Sequence, residues 1–332
     1  MNGRFDEPIY YAVKNLNKDI VKTSSSGGLF SAICKHFFKS SGVAYGAAYN
    51  NELQVHHEAA RNFEECSKFR GSKYVMSELT GIYKDIRKHL DGGQRVLFSG
   101  TPCQVAGLYS YLGKTDISNL LTCDLICHGV PSQDIFNQFL EELGNDYNSR
   151  AVSVNFKDKY HGWRSPYLRI EFENGAVYSE FIWNSLYGIL YHSRFTVMPA
   201  CNNCKYATVP RLSDITIGDF WGYSSDKHGL GNEDEGVSIA IINTKKGLTF
   251  FESIKPEISY REVEWSEAKQ LHLEKSANAP SEPIYKYYLK LRKRKITLAE
   301  TEKKIQKMKK RHPSKLKIIV SRIRGRISRI LH

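Results

Sequence analysis

The sequence predicts a mixed α/β (α+β) fold with a basic helical C-terminal tail, on three observations. Two strand–loop–helix units, RVLFSG (95–100) leading into Thr-Pro-Cys and LLTCDLIC (120–127) leading into His-Gly-Val-Pro, each carry a cysteine where the strand gives way to the loop. Residues 167–173 and 176–181 alternate apolar and polar around Asn174-Gly175, which predicts an antiparallel hairpin with a two-residue turn. The last 47 residues, 286–332, hold eighteen Lys or Arg against two Glu. The expected organisation is therefore a body over 1–285 and a tail over 286–332.

In order along the chain, Tyr10 to Lys22 reads as a short strand and turn running into Ser24-Ser25-Ser26-Gly27-Gly28. Leu29 to Lys39 has apolar residues at helical spacing, and a Ser/Gly run opening a helix offers backbone N–H groups and hydroxyls to a phosphate. The same residues also suit a plain N-cap and loop. Val43 to Asn50 reads as a strand, and Arg70-Gly71-Ser72-Lys73-Tyr74 precedes a helix over 78–90. The two cysteine-bearing units follow, with helices over 105–112 and 133–143. His161-Gly162-Trp163-Arg164 stands before the hairpin, where His161 and Arg164 would meet an anionic substrate or support the hairpin. A helix over 183–194 then delivers the chain to Cys201-Asn-Asn-Cys204. Strands over 215–217, 237–243 and 257–263 and a helix over 247–254 complete the body. In the tail, Thr297-Leu-Ala-Glu300 is a capping-box pattern that opens a Lys-rich helix to about Arg311.

Composition narrows the class. A chain of 332 residues with 41% hydrophobic content can bury a sizeable core. No run reaches the length of a membrane span, and MNGRFDEPIYYAVKN lacks the apolar region of a signal peptide, so a cytoplasmic protein is expected. The net charge of +13 divides into +16 on the tail and −3 on the rest. After Pro313, Leu316, Ile319, Val320, Ile323, Ile327, Ile330 and Leu331 share one helical face among Lys and Arg. That pattern suits a helix lying on an anionic membrane surface, or one docking on protein, with nucleic acid a weaker reading.

Seven scattered cysteines are an odd number in a long chain, which reads as ligands plus buried thiols rather than a disulfide framework. Cys201 and Cys204 form the only Cys-x-x-Cys turn, and the best suppliers of two further ligands are Cys103 and Cys127. Four thiolates suit a [4Fe–4S] cluster or tetrahedral zinc, and spacing leaves the choice open. Cys123, four before Cys127 on a strand, is the substitute ligand; Cys34 and Cys66 read as inert core thiols.

The set SSSGG (24–28), FRGSKY (69–74), FSGTPCQVAGL (98–108), DLICHGVPS (124–132), HGW (161–163) and C-x-x-C followed by RLSDITIGDFWG (211–222) resembles the coenzyme F420 hydrogenase/dehydrogenase beta-subunit family, over roughly 9–265. It includes versions encoded with polysaccharide-biosynthesis enzymes. The resemblance implies FAD and an iron–sulfur cluster, with Cys103, Cys127, Cys201 and Cys204 as cluster ligands. It departs from the many relatives that begin with a ferredoxin-like region, so a separate electron donor, ferredoxin-like or a reduced cofactor, is expected. Coenzyme F420 itself belongs to only part of the family.

The function expected is a flavin- and [4Fe–4S]-dependent oxidoreductase, in cell-surface polysaccharide biosynthesis on the strength of the resemblance and peripheral at the inner membrane face on the strength of the tail. Ser26, Gly27, Gly28, Lys73, Gly100 and Thr101 are its candidate FAD residues. His128, beside a ligand, and Asp219, at the end of a strand, are its candidate catalytic residues. The rival reading is a non-catalytic membrane-associated assembly protein with a structural four-cysteine metal site.

Overall fold

The computed structural model describes residues 3–270, 273–294 and 296–311. The chain begins with strand β1 (Arg4–Asn15), helices α1 (Lys18–Thr23) and α2 (Leu29–Phe37), and strands β2 (Val43–Tyr49) and β3 (Val55–Ala60). The two predicted units follow as α3 (Ile82–Asp91), β4 (Val96–Gly100), α4 (Pro102–Leu112), β5 (Leu120–Leu125) and α5 (Gln133–Tyr147). Next come β6 (Ala151–Asp158), β7 (Tyr167–Phe172), β8 (Val177–Phe181), α6 (Leu186–His192) and β9 (Ile215–Asp219). The rest is α7 (Ser225–His228), β10 (Ser238–Thr244), α8 (Lys245–Ile254), β11 (Ile258–Val263), α9 (Trp265–Ala268), α10 (Glu282–Arg292) and α11 (Leu298–Arg311).

Eight strands form one mixed sheet in the order β11-β1-β10-β9-β5-β4-β2-β3, and β6-β7-β8 form a separate antiparallel sheet. Within the large sheet β2, β4, β5 and β9 run parallel to one another. Their carboxyl ends therefore share one edge, where ligands bind in parallel-sheet folds. One face packs under α2 and α8 through Leu29, Ile33, Phe37, Phe251 and Ile254. The other packs under α3 and α4 at the β2-β4-β5 end and under Phe220, Ala268 and Leu273 at the β1-β10 end. The alternation along β5 decides which side chain goes where: Leu121 and Cys123 lie in the core beneath α2, so Thr122 and Asp124 point to the opposite face.

Several elements differ from expectation for local reasons. Residues 18–23 are helical because the Asn17 carboxamide accepts from the Asp19 and Ile20 amides. The helix expected from Glu78 starts at Ile82, since Glu78 exchanges backbone bonds with β3 through His57 N–H (2.8 Å) and Val55 C=O (3.0 Å). The hairpin turn has three residues rather than two: Glu171 pairs with Val177, the Phe172 amide bonds Ala176 C=O at 3.0 Å, and Gly175 takes φ +82°. That is the three-residue hairpin with its glycine in the left-handed position.

The domain boundary expected at 285/286 falls inside α10. Ile284, Tyr288 and Leu291 of α10, with Leu298 and Ile305 of α11, are buried in one core with α5, α6 and the small sheet. The capping pattern holds, with the Glu300 amide donating to Thr297 Oγ1 at 3.1 Å. The apolar stripe from Leu316 to Leu331 lies outside the described residues.

Candidate functional site: a cysteine quartet at the sheet edge

Cys103 sits in the first turn of α4, three residues beyond the end of β4, and Cys127 two residues beyond the end of β5. Cys201 and Cys204 lie on and just after a 3₁₀ turn, Pro199–Asn203. Two backbone contacts draw the third segment to the second. The Met198 amide donates to Val130 C=O at 2.9 Å, and Pro131 and Val197 form an antiparallel bridge. The approach needs Gly129, whose φ is +89° and where a Cβ would stand 2.6 Å from Val197 Cγ1 and 3.1 Å from Cys201 Cβ.

Cys127 and Cys201 each sense Cys103 and Cys204 electrostatically. Burial pushes the Cys127 thiol up to about 12, the Gly129 amide draws it down, and Cys201, Cys103 and Cys204 raise it further. Cys201 is raised by burial first, then by Cys103 and Cys204. Cys123 is not among them: it is fully buried, and its neighbours are the thiol Cys34, with Leu97, Leu121 and Ile215 in the same core, and the carboxylates Asp124 and Asp214. Cys34 and Cys66 are likewise buried core thiols. Among the described residues no three His, Cys, Asp or Glu side chains close to the spacing of a single-ion site.

Tyr191, Val197 and Ala277 form a small buried cluster against which Tyr74 and Cys201 pack. The Tyr74 phenol is raised by burial and further by Asp219 and Cys127. Asp219 ends β9 and is engaged on both oxygens: Lys157 Nζ donates to Oδ2 at 2.5 Å and Trp163 Nε1 to Oδ1 at 3.0 Å. Trp163 stacks on Trp221 with centroids 4.9 Å apart. These bonds make Asp219 a clamp between the two sheets. His128 is half-buried beside Cys127, and its carbonyl accepts from Arg194 Nη1 at 3.3 Å. His161 packs on Tyr167 at 4.3 Å, and Arg164 pairs with Glu233 at 3.2 Å and donates to Tyr223 C=O at 2.7 Å.

The Ser/Gly loop lies on the same edge, between the ends of β1 and β10. Its hydroxyls are already bonded within the protein. Ser24 Oγ donates to Ile20 C=O at 2.6 Å, Ser25 Oγ accepts from the Ser72 amide at 2.7 Å, and Ser26 Oγ donates to Val237 C=O at 2.8 Å. The amides of the first turn of α2 remain without a side-chain cap. Lys73 reaches this loop through Ser72. Its ammonium donates to the Arg70 and Gly71 carbonyls at 3.2 Å, pairs with no carboxylate among the described residues, and is held down at about 8 by burial. Lys159, on the other side of the loop, donates to Ser26 C=O at 2.9 Å and is also held at about 8, chiefly by burial. Gly100 and Thr101 form the turn into α4, where the Thr101 hydroxyl meets Cys103 Sγ at 3.1 Å.

The expected reason for Gly27 needs correction. A Cβ there would stand 2.5 Å from Val13 O and 2.7 Å from Ser238 N, so the glycine is required by the chain's own ladder. Gly27→Ala is expected to cost about 1–3 kcal/mol of stability, read as a lower denaturation midpoint of the cofactor-free protein. An unchanged midpoint would return Gly27 to a ligand role.

With this geometry in hand, residues 93–268 match the family model that describes the C terminus of the coenzyme F420 hydrogenase/dehydrogenase beta subunit. The chain belongs to this family. The match spans both strand-borne cysteines, the Cys-x-x-Cys turn and β9 through β11. A solved structure, the F420-reducing [NiFe] hydrogenase complex from Methanosarcina barkeri, is similar in fold: one of its chains aligns with TM-score 0.55 and 19% identity, over 93% of this chain and 92% of that one. No curated protein matches the chain. Sequence reasoning named the quartet but missed Lys157, Lys159, Tyr74 and Trp221 on the same edge. Tyr74 and Trp221 lie inside motifs that carry the resemblance, but no spacing marks a role for them, and Lys157 and Lys159 stand in no motif at all.

Proposed function

We propose that this chain is a flavin- and [4Fe–4S]-dependent oxidoreductase subunit that passes electrons between a separate donor and a substrate. The observation behind this reading is the convergence of Cys103, Cys127, Cys201 and Cys204, from three distant segments, at the carboxyl edge of β4, β5 and β9. The donor set fits the group, being all cysteine sulfur and partly buried. A four-iron cube bound there supplies one-electron transfer. FAD, which supplies the exchange between one- and two-electron chemistry, has a partial fit. The uncapped amides of α2 and the carboxylate-free Lys73 suit its phosphates, while the hydroxyls of Ser24–Ser26 are engaged elsewhere.

The chain's own residues do the rest. Tyr191 and Val197 pack against Cys201. Lys157 and Asp219 hold Trp163, and through it Trp221, at the rim. His128, beside Cys127, is the candidate proton donor. A substrate from cell-surface polysaccharide biosynthesis is favoured by the resemblance, and coenzyme F420 is the less favoured one because only part of the family uses it. The basic tail supports peripheral attachment to an anionic membrane.

Anaerobic purification with iron, labile sulfide, zinc and flavin analysis tests the reading. Iron with sulfide and extractable FAD is expected. Stoichiometric zinc without flavin would instead favour a structural metal site. In the same preparation, deleting residues 312–332 should release the protein from anionic vesicles at low salt without changing its cofactor content. Vesicle binding that survives the deletion would remove the membrane role from that segment.

A further inference from the structure

The turn that carries Cys103 is held by a ring of hydrogen bonds that the proposed chemistry does not use. His57 of β3 is 3% exposed and stacks on Phe98 of β4 at 5.4 Å. Its Nε2 lies 2.9 Å from Ser99 C=O. A carbonyl only accepts, so Nε2 carries the proton and Nδ1 of the neutral ring is an acceptor. Ser77 Oγ, 3.0 Å from Nδ1, donates to it. Ser77 Oγ in turn accepts from Gln104 Nε2 at 2.9 Å, and Gln104 Oε1 accepts from the Thr101 amide at 2.8 Å. The ring closes through the backbone from Ser99 to Thr101. Every donor in it has one acceptor, and only one tautomer of His57 satisfies all of them.

Three further contacts fix the frame. The His57 amide donates to Glu78 C=O at 2.8 Å, which holds Ser77 against β3. Tyr83 OH donates to Gln104 C=O at 2.7 Å, which anchors the first turn of α4 from α3. At the other end Thr101 Oγ1 meets Cys103 Sγ at 3.1 Å. Cys103 is the exposed member of the quartet. A ligand on a surface turn needs its geometry supplied by the groups behind it.

We propose that His57, Ser77 and Gln104 are positioning residues that fix the Thr101–Cys103 turn for cluster ligation and, through the Thr101 hydroxyl, set the hydrogen bonding at the Cys103 sulfur. This rests on the cluster reading above, but the ring can be tested in the metal-free full-length chain as well. There, hydrogen exchange at the Thr101 amide is the probe. Ser77→Ala leaves Gln104 without its partner, so exchange in the peptide containing Thr101 and Cys103 should accelerate several-fold. Peptides from α2 and β10 should not change, and Ser77→Thr, which keeps the hydroxyl, should restore protection. In the loaded protein, Ser77→Ala and Gln104→Ala should each lower the cluster's midpoint potential, because a lost hydrogen bond to sulfur disfavours the reduced state. The double variant should lower it no further than either single one. Exchange and potential both at wild-type values in Ser77→Ala would overturn the proposal. A wild-type chain that takes up no iron, with the exchange pattern as expected, would sink the cluster reading and leave the ring standing.

Discussion

Serine in place of Cys127 is expected to take iron from about four atoms per chain to near none, because a four-iron cluster needs all four thiolates. The same loss is expected for Cys201→Ser and Cys204→Ser, which share the turn drawn against Gly129. Cys103→Ser should also lose the cluster, though a three-iron remnant visible by electron paramagnetic resonance would be the mildest outcome, since this ligand is the most exposed of the four. The informative control is Cys123→Ser. Cys123 packs among Leu97, Leu121 and Ile215 on the α2 face, so a hydroxyl there meets an apolar wall at a cost of about 1–3 kcal/mol. That variant should be less stable yet carry its full iron. Full iron in Cys127→Ser together with loss in Cys123→Ser would exchange the two assignments.

Much of this site was legible because the chemistry lies where local pattern is strongest. The apolar runs Val96–Gly100 and Leu120–Leu125 end at Thr-Pro and His-Gly-Val-Pro punctuation, so both strand ends, and the cysteines beyond them, can be placed from sequence alone. Edge strands were harder. In β3 the sequence VHHEAA is half polar, and β6 pairs on one side only, so neither has a clear apolar period. The supporting side chains were hidden for a different reason. Lys157 finds Asp219 62 residues away, and His57 reaches Ser99 42 residues away. Nothing in the spacing of either pair marks it before the sheets are assembled. The tail shows both cases. Its capping residues were readable, but the burial of Leu298 and Ile305 against α5, α6 and the small sheet was masked by the lysines between them.

Acid should expose the His57 ring. Burial holds the His57 imidazole down at about 4, against which the Ser99 carbonyl raises it and the nearby His56 and Lys73 lower it further. An unfolded histidine titrates near 6.5. Between these values the unfolded chain binds the extra proton, so the contribution is whole above about 6.5 and disappears as the pH falls through about 4. The difference of roughly 2.5 pKa units corresponds to about 3 kcal/mol. Asp124 acts in the same window with the opposite sign. Burial raises it to about 6 against the pull of Arg211, so its folded form favours the proton and loses stability as the pH rises from about 4 to 6. The two slopes offset each other in the wild type, and a single pH–stability curve would hide both. The comparison with His57→Phe separates them, because phenylalanine keeps the stacking on Phe98 and removes the titration. Relative to that variant, the wild type should gain about 3 kcal/mol of stability from pH 4 to pH 6.5, read from denaturant midpoints at half-unit steps. Parallel curves across that window would mean that His57 takes a proton without breaking its bonds to Ser77 and Ser99, and the ring would lose its single tautomer.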